Sequence, residues 1–342
     1  MKTLPMLDLS HTLMSEADAL RFLDGHRISH GGRTMDPKAQ IVGEFVKGIR
    51  VAGFFPPLPE LRQQLRTMVT LMDEPAPALA RVVDISIPGP AGAIAARVYD
   101  AVGGDGPARP AVAYFHGGGW VQGDLETHYG LCARLALGAG ALVVAVDYRL
   151  APEHPFPAAV DDCLAAYRWL RAHGGGIGVD PARVGVAGDS AGGNLAAVVS
   201  QQAAAAGEPP PVCQVLIYPA TDFAIDTPSH RELEDAHVIP RDRILWYAEQ
   251  YLPAGVDRLD PRASPLRAAD LAGQPPALVI TAGFDPLRDE GHAYADRLRA
   301  AHVDVVDHEY PGQIHAFVSL TKAIPQGLTA TAEIADFLRE RL

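Results

Sequence analysis

Four features of this sequence have residue types and spacing suited to acyl transfer: a serine between glycines, a glycine triplet, an aspartate and a histidine. Gly188-Asp189-Ser190-Ala191-Gly192 has the form G-x-S-x-G. In that pattern the serine sits on a tight strand-to-helix turn with its Oγ standing clear of the sheet. The flanking glycines are required because the turn brings backbones too close for a Cβ. The good helix former that follows, "NLAAVVSQQAAAA", directs its N-terminal dipole at Ser190 and favours negative charge there. Upstream, "YFHGGGW" (Tyr114–Trp120) places three glycines directly after an apolar run. Consecutive side-chain-free residues allow several amides to turn toward one point, where they stabilise the oxygen that gains charge in acyl transfer. Gly118, Gly119 and the amide of Ala191 are the expected donors of that oxyanion hole.

A serine hydroxyl attacks poorly until an imidazole takes its proton and a carboxylate orients that imidazole. Asp285 is the first acid beyond the run "ALVITAG"; Asp289 and Glu290 are its rivals, expected on the next helix and facing away. His315, in the glycine-containing loop "GQIHAFV", is the expected base, with His308 in the preceding strand as its rival. His292 and His302 read as surface or capping residues. His26 and His30 share the i,i+4 spacing of metal ligands, but no acidic third ligand or H-E-x-x-H accompanies them, so a solvated helix face is expected. No metal and no cofactor are expected: the sequence holds neither a dinucleotide fingerprint nor a Walker P-loop, and Gly174–Gly178 reads as a connecting loop.

These residues need elements to hold them. "RVVDISIP" and "AIAARVYD" alternate apolar and polar residues, as half-buried strands do. "AVAYF", "ALVVAVDY", "RVGVAG", "CQVLIYP" and "ALVITAG" are short apolar runs closed by turn residues, the mark of strands covered on both faces. Helical stretches fall between them at Leu125–Leu137, Pro157–His173, Ala191–Ala206 and Arg288–Ala301. Such alternation predicts a doubly wound, mostly parallel α/β sheet, and ligands bind beyond the carboxyl ends of its strands. Residues 1–80 read as helical with proline-rich breaks, and 221–262 is longer than one crossover requires. Both are expected to form a helical cap over a catalytic domain at 81–342.

The 342 residues carry a net charge of −12 and 48% hydrophobic residues, enough chain for one large core. The acidic balance argues against a nucleic-acid partner, since phosphate binding is driven by Lys and Arg. Cys132, Cys163 and Cys213 form no CxxC pair and suit a reducing compartment as small buried residues. The N-terminus lacks the clean apolar core of a signal peptide, and the longest uncharged apolar run, Leu135–Val146, is shorter than the about 20 residues a membrane span needs. A cytoplasmic location is the expectation.

With "MDPKAQ", "HGGGWVQGD", "DYRLAPEHPFPAA", "GDSAGGN", "ASPL" and "DPLRDEG" in this order from Met35 onward, the chain resembles the hormone-sensitive-lipase family of α/β hydrolases, in its bacterial GDSAG subgroup (family IV esterases). The resemblance implies an α/β-hydrolase fold with a helical cap, and a carboxylesterase acting on a small ester of short to medium acyl chain. By it Ser190, Asp285 and His315 carry catalysis, Gly118, Gly119 and Ala191 form the oxyanion hole, and His116 and the "DYRLAPEHPFPAA" loop support the site. A homodimer is the assembly it suggests. Two departures stand out: Ala316 follows the histidine where the family commonly has glycine, and the first 30 or so residues precede the family's usual start. Phe45, Phe54, Phe55, Ile225, Leu233, Val238 and Trp246 are candidates for lining a pocket under the cap. Two other functions fit the fold: a small-molecule receptor without turnover, whose mark would be a lost histidine, and a peptidase or amidase sharing the triad.

Overall fold

A computed structural model of the chain describes residues 7–51, 53–104 and 106–342; residues 1–6 of the expected N-terminal extension lie outside the described residues. After a two-stranded hairpin of β1 (Ser29–His30) and β2 (Arg33–Thr34), eight strands form one sheet: β3 (Arg81–Gly89), β4 (Gly92–Asp100), β5 (Arg109–Phe115), β6 (Leu142–Asp147), β7 (Val179–Asp189), β8 (Gln214–Ile217), β9 (Ala277–Phe284) and β10 (Val305–Ile314). Their spatial order is β10-β9-β8-β7-β5-β6-β4-β3. β3 and β4 pair antiparallel, as do β4 and β6; every other pair is parallel. The mostly parallel, doubly wound sheet predicted from the alternation is therefore present.

Along β5 the side chains divide strictly between the two faces. Ala111, Ala113 and Phe115 join one buried cluster, and Val112 and Tyr114 the other, as a period of two dictates for a strand covered on both sides. The helices are α1 (Leu9–Thr12), α2 (Glu16–Leu23), α3 (Pro37–Ile49), α4 (Leu58–Met72), α5 (Tyr129–Ala139), α6 (Ala158–His173), α7 (Ala191–Ala205), α8 (Pro228–Glu232), α9 (Arg241–Tyr251), α10 (Arg288–Ala300) and α11 (Gln326–Arg341). α6 and α7 cover the Phe115 face, and α5 and α11 cover the Tyr114 face. β5 lies between β6 and β7, so the winding direction reverses at its carboxyl end. That crevice is where a ligand fits in an open α/β sheet.

Three local expectations change. α5 starts at Tyr129 rather than Leu125, because Asp124 Oδ1 accepts from the amides of Glu126 and Thr127 (both 2.9 Å) and holds that stretch in a turn. His26 and His30 share no helix: His30 lies on β1 and its Nε2 faces Glu232 at 3.2 Å. His292 is half-buried rather than a simple surface or capping residue, and it contacts Asp307 and Glu309 at 3.0 and 3.1 Å. With Arg33 paired to Glu309, this network ties the β1–β2 hairpin to the edge strand. α11 has no counterpart in the sequence prediction; its apolar face closes over α5.

The end of β6 carries a carboxylate that folding disfavours. The Asp147 side chain has no hydrogen-bond partner among the described residues, and burial, aided by the nearby charge of Asp124, raises its pKa to about 6. A carboxyl with a raised folded pKa binds more protons in the native state, so its contribution to stability is lost as pH rises from about 4 through 6. Asp147→Asn is therefore expected to be more stable than the wild type at pH 7, by about 1–3 kcal/mol, with the gap closing near pH 4. Thermal unfolding of both proteins at the two pH values checks this.

Candidate active site

The three expected triad residues and His116 each stand one position beyond the carboxyl end of a parallel strand. His116 follows β5, Ser190 follows β7, Asp285 follows β9 and His315 follows β10. Register keeps those ends level: Phe115 pairs with Gly188, Asp189 with Ile217, and Ile314 with Phe284. Side chains far apart in sequence thus meet at one rim.

Ser190 adopts φ 57° and ψ −117°, a backbone conformation that costs a non-glycine residue about 1–3 kcal/mol. Its surroundings hold it there. Its amide donates to Ile217 O (2.8 Å) and its carbonyl accepts from Asn194 N (3.1 Å). A Cβ on Gly188 would collide with the Gly192 carbonyl, and one on Gly192 with the carbonyls of Phe115 and His116. The glycines of the motif are thus required by close approach between turn and neighbouring strand.

His315 Nε2 lies 2.9 Å from Ser190 Oγ, and its Nδ1 lies 2.6 Å from Asp285 Oδ2. Asp285 is fully buried, and its other oxygen accepts from Leu287 N at 2.9 Å. With Nδ1–H donating to the carboxylate, Nε2 is left as an acceptor facing the serine hydroxyl. The imidazole is further held by the ring of Tyr218, 4.6 Å away between centroids. Ala316 takes φ 67°, the left-handed region where glycine is unstrained and an L-residue costs about 1–2 kcal/mol. The departure from the family pattern therefore strains the loop and leaves the histidine in place.

The rivals are elsewhere. His308 pairs with Glu333 at 2.7 Å, away from the serine. Asp289 and Glu290 lie on α10; Asp289 accepts from Ser229 N at 2.8 Å, and buried Glu290 contacts His230 Nε2 at 2.7 Å. Both therefore fasten α8 of the insertion to α10, the helix that follows Asp285.

The amides of Gly118, Gly119 and Ala191 have no hydrogen-bond acceptor among the described residues. Ala191 is the first residue of α7, where a helix leaves its N–H groups unpaired. Gly118 and Gly119 have φ of 127° and 62°; a Cβ would meet the Gln122 carbonyl at the first and the Tyr247 ring at the second. Ala191 is buried, and both glycines line the cavity next to Ser190 and His315.

Sequence reasoning missed what fastens this loop to the serine turn. Asp189, buried beside Ser190, accepts from Gly117 N (2.9 Å) and Tyr114 OH (2.7 Å) and contacts His128 Nε2 at 3.1 Å. Burial alone would raise its pKa, but the charge and hydrogen bond of His128 and the Tyr114 hydroxyl hold it below the usual carboxylate range. Burial likewise opposes charge on His128, and Asp189 outweighs it to raise that pKa. Burial and the His128 charge lower His116 to about 4, leaving it neutral while its ring stacks on Tyr148 at 4.3 Å. The only sequence signal for this network was the second letter of GDSAG, a buried acid that needs partners.

Above the rim lies a cavity of about 790 Å³, within the roughly 300–1,000 Å³ of small-molecule sites. Phe45, Phe54, Ile225 and Val238 line it as candidates; Phe55 and Trp246 instead stack on each other at 4.6 Å, and Leu233 also stays off it. Its roof comes from both segments outside the α/β alternation. Arg50 Nη2 reaches Asp235 at 3.0 Å and His237 Nε2 reaches Glu44 at 3.3 Å, joining α3 to the insertion. Arg62 of α4 binds Glu153 through both Nη atoms (2.8 and 2.7 Å) and donates from Nε to Val121 O at 2.8 Å. Among the described residues no cluster of side chains could hold a metal ion, and no helix is long and apolar enough to cross a membrane.

A family model described as alpha/beta hydrolase fold matches residues 112–319, the stretch that contains Gly118, Gly119, Ser190, Ala191, Asp285 and His315. The chain belongs to that family. Within it, the relatives are hormone-sensitive-lipase-like (family IV) esterases. The carboxylic ester hydrolase LipN of Mycobacterium tuberculosis is 43% identical over 93% of this chain and 86% of its own length. The carboxylesterase NlhH of the same species is 46% identical over 68% of this chain and 74% of its own. Among known structures, an ester hydrolase from the metagenome of Lake Arreo, complexed with a derivative of bipyridine phosphonate, superimposes with a TM-score of 0.86. It is 41% identical, covering 90% of this chain and 98% of that one. An esterase of Pyrobaculum calidifontis gives a TM-score of 0.80 at 43% identity, covering 88% and 97%.

Proposed function

We propose that this protein, a carboxylic ester hydrolase, cleaves short- to medium-chain esters through Ser190, His315 and Asp285, with Gly118, Gly119 and Ala191 as the oxyanion hole. The observation that carries the proposal is the unbroken hydrogen-bond chain from Asp285 through His315 to Ser190, opening onto an apolar cavity. His315 Nε2 takes the hydroxyl proton as Oγ attacks the ester carbon. The carbonyl oxygen, now negative, accepts from the three waiting amides, which act in a water-poor site where such dipoles count most. His315 then gives its proton to the departing alkoxide, and the acyl group stays on Ser190. A water, deprotonated by the same nitrogen, attacks the acyl-enzyme and returns the serine. Throughout, buried Asp285 holds the tautomer and stabilises the imidazolium.

The cap is proposed as residues 1–80 together with 221–262, over a catalytic domain spanning 81–342. Three buried free cysteines favour a cytoplasmic setting. The partner is a small ester, with a homodimer as the proposed assembly. Retention of His315 weighs against a receptor without turnover. A panel of p-nitrophenyl esters from acetate to decanoate, run beside peptide p-nitroanilides, tests the proposal. Ester turnover that peaks at or below octanoate, with anilides far slower, is the expected outcome. A preference for the anilides, or ligand binding without turnover, would contradict it.

A further inference from the structure

The cavity extends well past the reacting atoms. α4 runs along it, and Leu61, Leu65, Met68 and Met72 line it at helical spacing. Arg62 and Arg66 tie the first half of this helix beside the glycine loop, through Val121 O and Asp124. Met72, in its last turn, packs instead in the cluster that contains Val46 and Leu320. From Arg66 to Met72 the helix axis advances about 9 Å, so α4 gives the cavity an arm that runs from the glycine loop toward Met72 and Leu320.

One side chain from ahead of α3 reaches this arm. Leu9 of α1 lines the cavity, alone among the described residues before Phe45, and packs against the large buried cluster to which Val46, Met72 and Leu320 belong. The short helix is anchored. Lys38 is only 4% exposed, and its ammonium donates to Thr12 O (2.7 Å) and Met14 O (2.5 Å) at the helix's end. Thr12 is fully buried, and Ala19 and Leu23 of α2 pack on Ile41 of α3. An ammonium is costly to bury without such acceptors, so α1 and α3 hold each other in place. The residues preceding the family's usual start thus supply a fixed wall.

We propose that Leu9 closes the far arm of the cavity and sets the length of alkyl chain the enzyme accepts. The ligand of that arm is an unbranched, medium-length alkyl chain, on either the acyl or the alcohol side of the ester. The assignment rests on the ester-hydrolase mechanism proposed above. A chain long enough to reach Leu9 buries methylenes, each changing kcat/KM about fourfold, whereas an acetyl or methyl group stops short of it.

The test compares wild type, Leu9→Trp and Leu9→Ala on two series: p-nitrophenyl acetate to decanoate, and methyl to octyl acetate. In one series Leu9→Trp is expected to lower the long-to-short ratio of kcat/KM by about tenfold or more, the worth of two lost methylenes. Leu9→Ala shifts the preferred length upward in that same series. Whichever series responds identifies the side of the ester that occupies the arm. If the tryptophan variant does not fold, the alanine variant decides by the same ratio, which a merely structural defect would leave unmoved. Ratios equal to wild type in both series overturn the role of Leu9 while the esterase mechanism stands. A wild type that hydrolyses no ester overturns both.

Discussion

Ser190→Ala will lose ester turnover, with kcat falling by about 10⁴–10⁶-fold while the protein stays folded. The size follows from what the hydroxyl does: it supplies the covalent bond, and no neighbouring group can take its place. Among the described residues its Oγ has one hydrogen-bond partner, His315 Nε2 at 2.9 Å, which is held on its far side by Asp285. Residual rate would come from the free amides of Gly118, Gly119 and Ala191 acting on an ester attacked by water. The fold should tolerate the change, because Ser190 is fixed through its backbone, by Ile217 O and Asn194 N, rather than through Oγ. Circular dichroism and thermal unfolding beside the ester assay check both halves. Turnover near the wild-type rate in a folded Ser190→Ala protein would exclude Ser190 as nucleophile.

Asp285→Asn is expected to cost about 10⁴-fold in kcat with KM little changed. The isosteric amide can retain the Leu287 N–H at its oxygen, which turns its NH₂ toward His315 Nδ1. That nitrogen must then accept, so the ring proton moves to Nε2 and points at Ser190 Oγ. An imidazole in that state has no lone pair for the serine proton. The loss is therefore one of tautomer rather than of contact, and it belongs in kcat. A variant whose defect lies wholly in KM would show that Asp285 only shapes the pocket.

The rim that brings Ser190, Asp285 and His315 together was legible in the sequence because its signals are local. Apolar runs of strand length end in turn residues, and Ser190 and Asp285 each fall two residues past such a run, while His315 lies in the glycine-containing loop after the alternating last strand. Choosing Asp285 over Asp289 and Glu290 needed only the position of the strand edge. The supports were harder to read. Tyr114 and His128 reach Asp189 from other parts of the chain, and no periodicity marks a pair that meets only through the sheet's winding. His26 and His30 illustrate the converse error: spacing suggests a helix, yet Gly31 and Gly32, both at positive φ, make the turn of a hairpin. Leu9 carried no sequence signal at all, because lining a cavity depends on how α1 is packed against α3 by Lys38.

The central claim is that Ser190 is a nucleophile activated by His315. Treating the protein with a fluorophosphonate and mapping the adduct by mass spectrometry tests it most directly. A single adduct on the peptide bearing Ser190, lost in Ser190→Ala and strongly slowed in His315→Ala, is the predicted result. An unlabelled Ser190 in folded wild-type protein, or labelling as fast without the imidazole as with it, would contradict the claim.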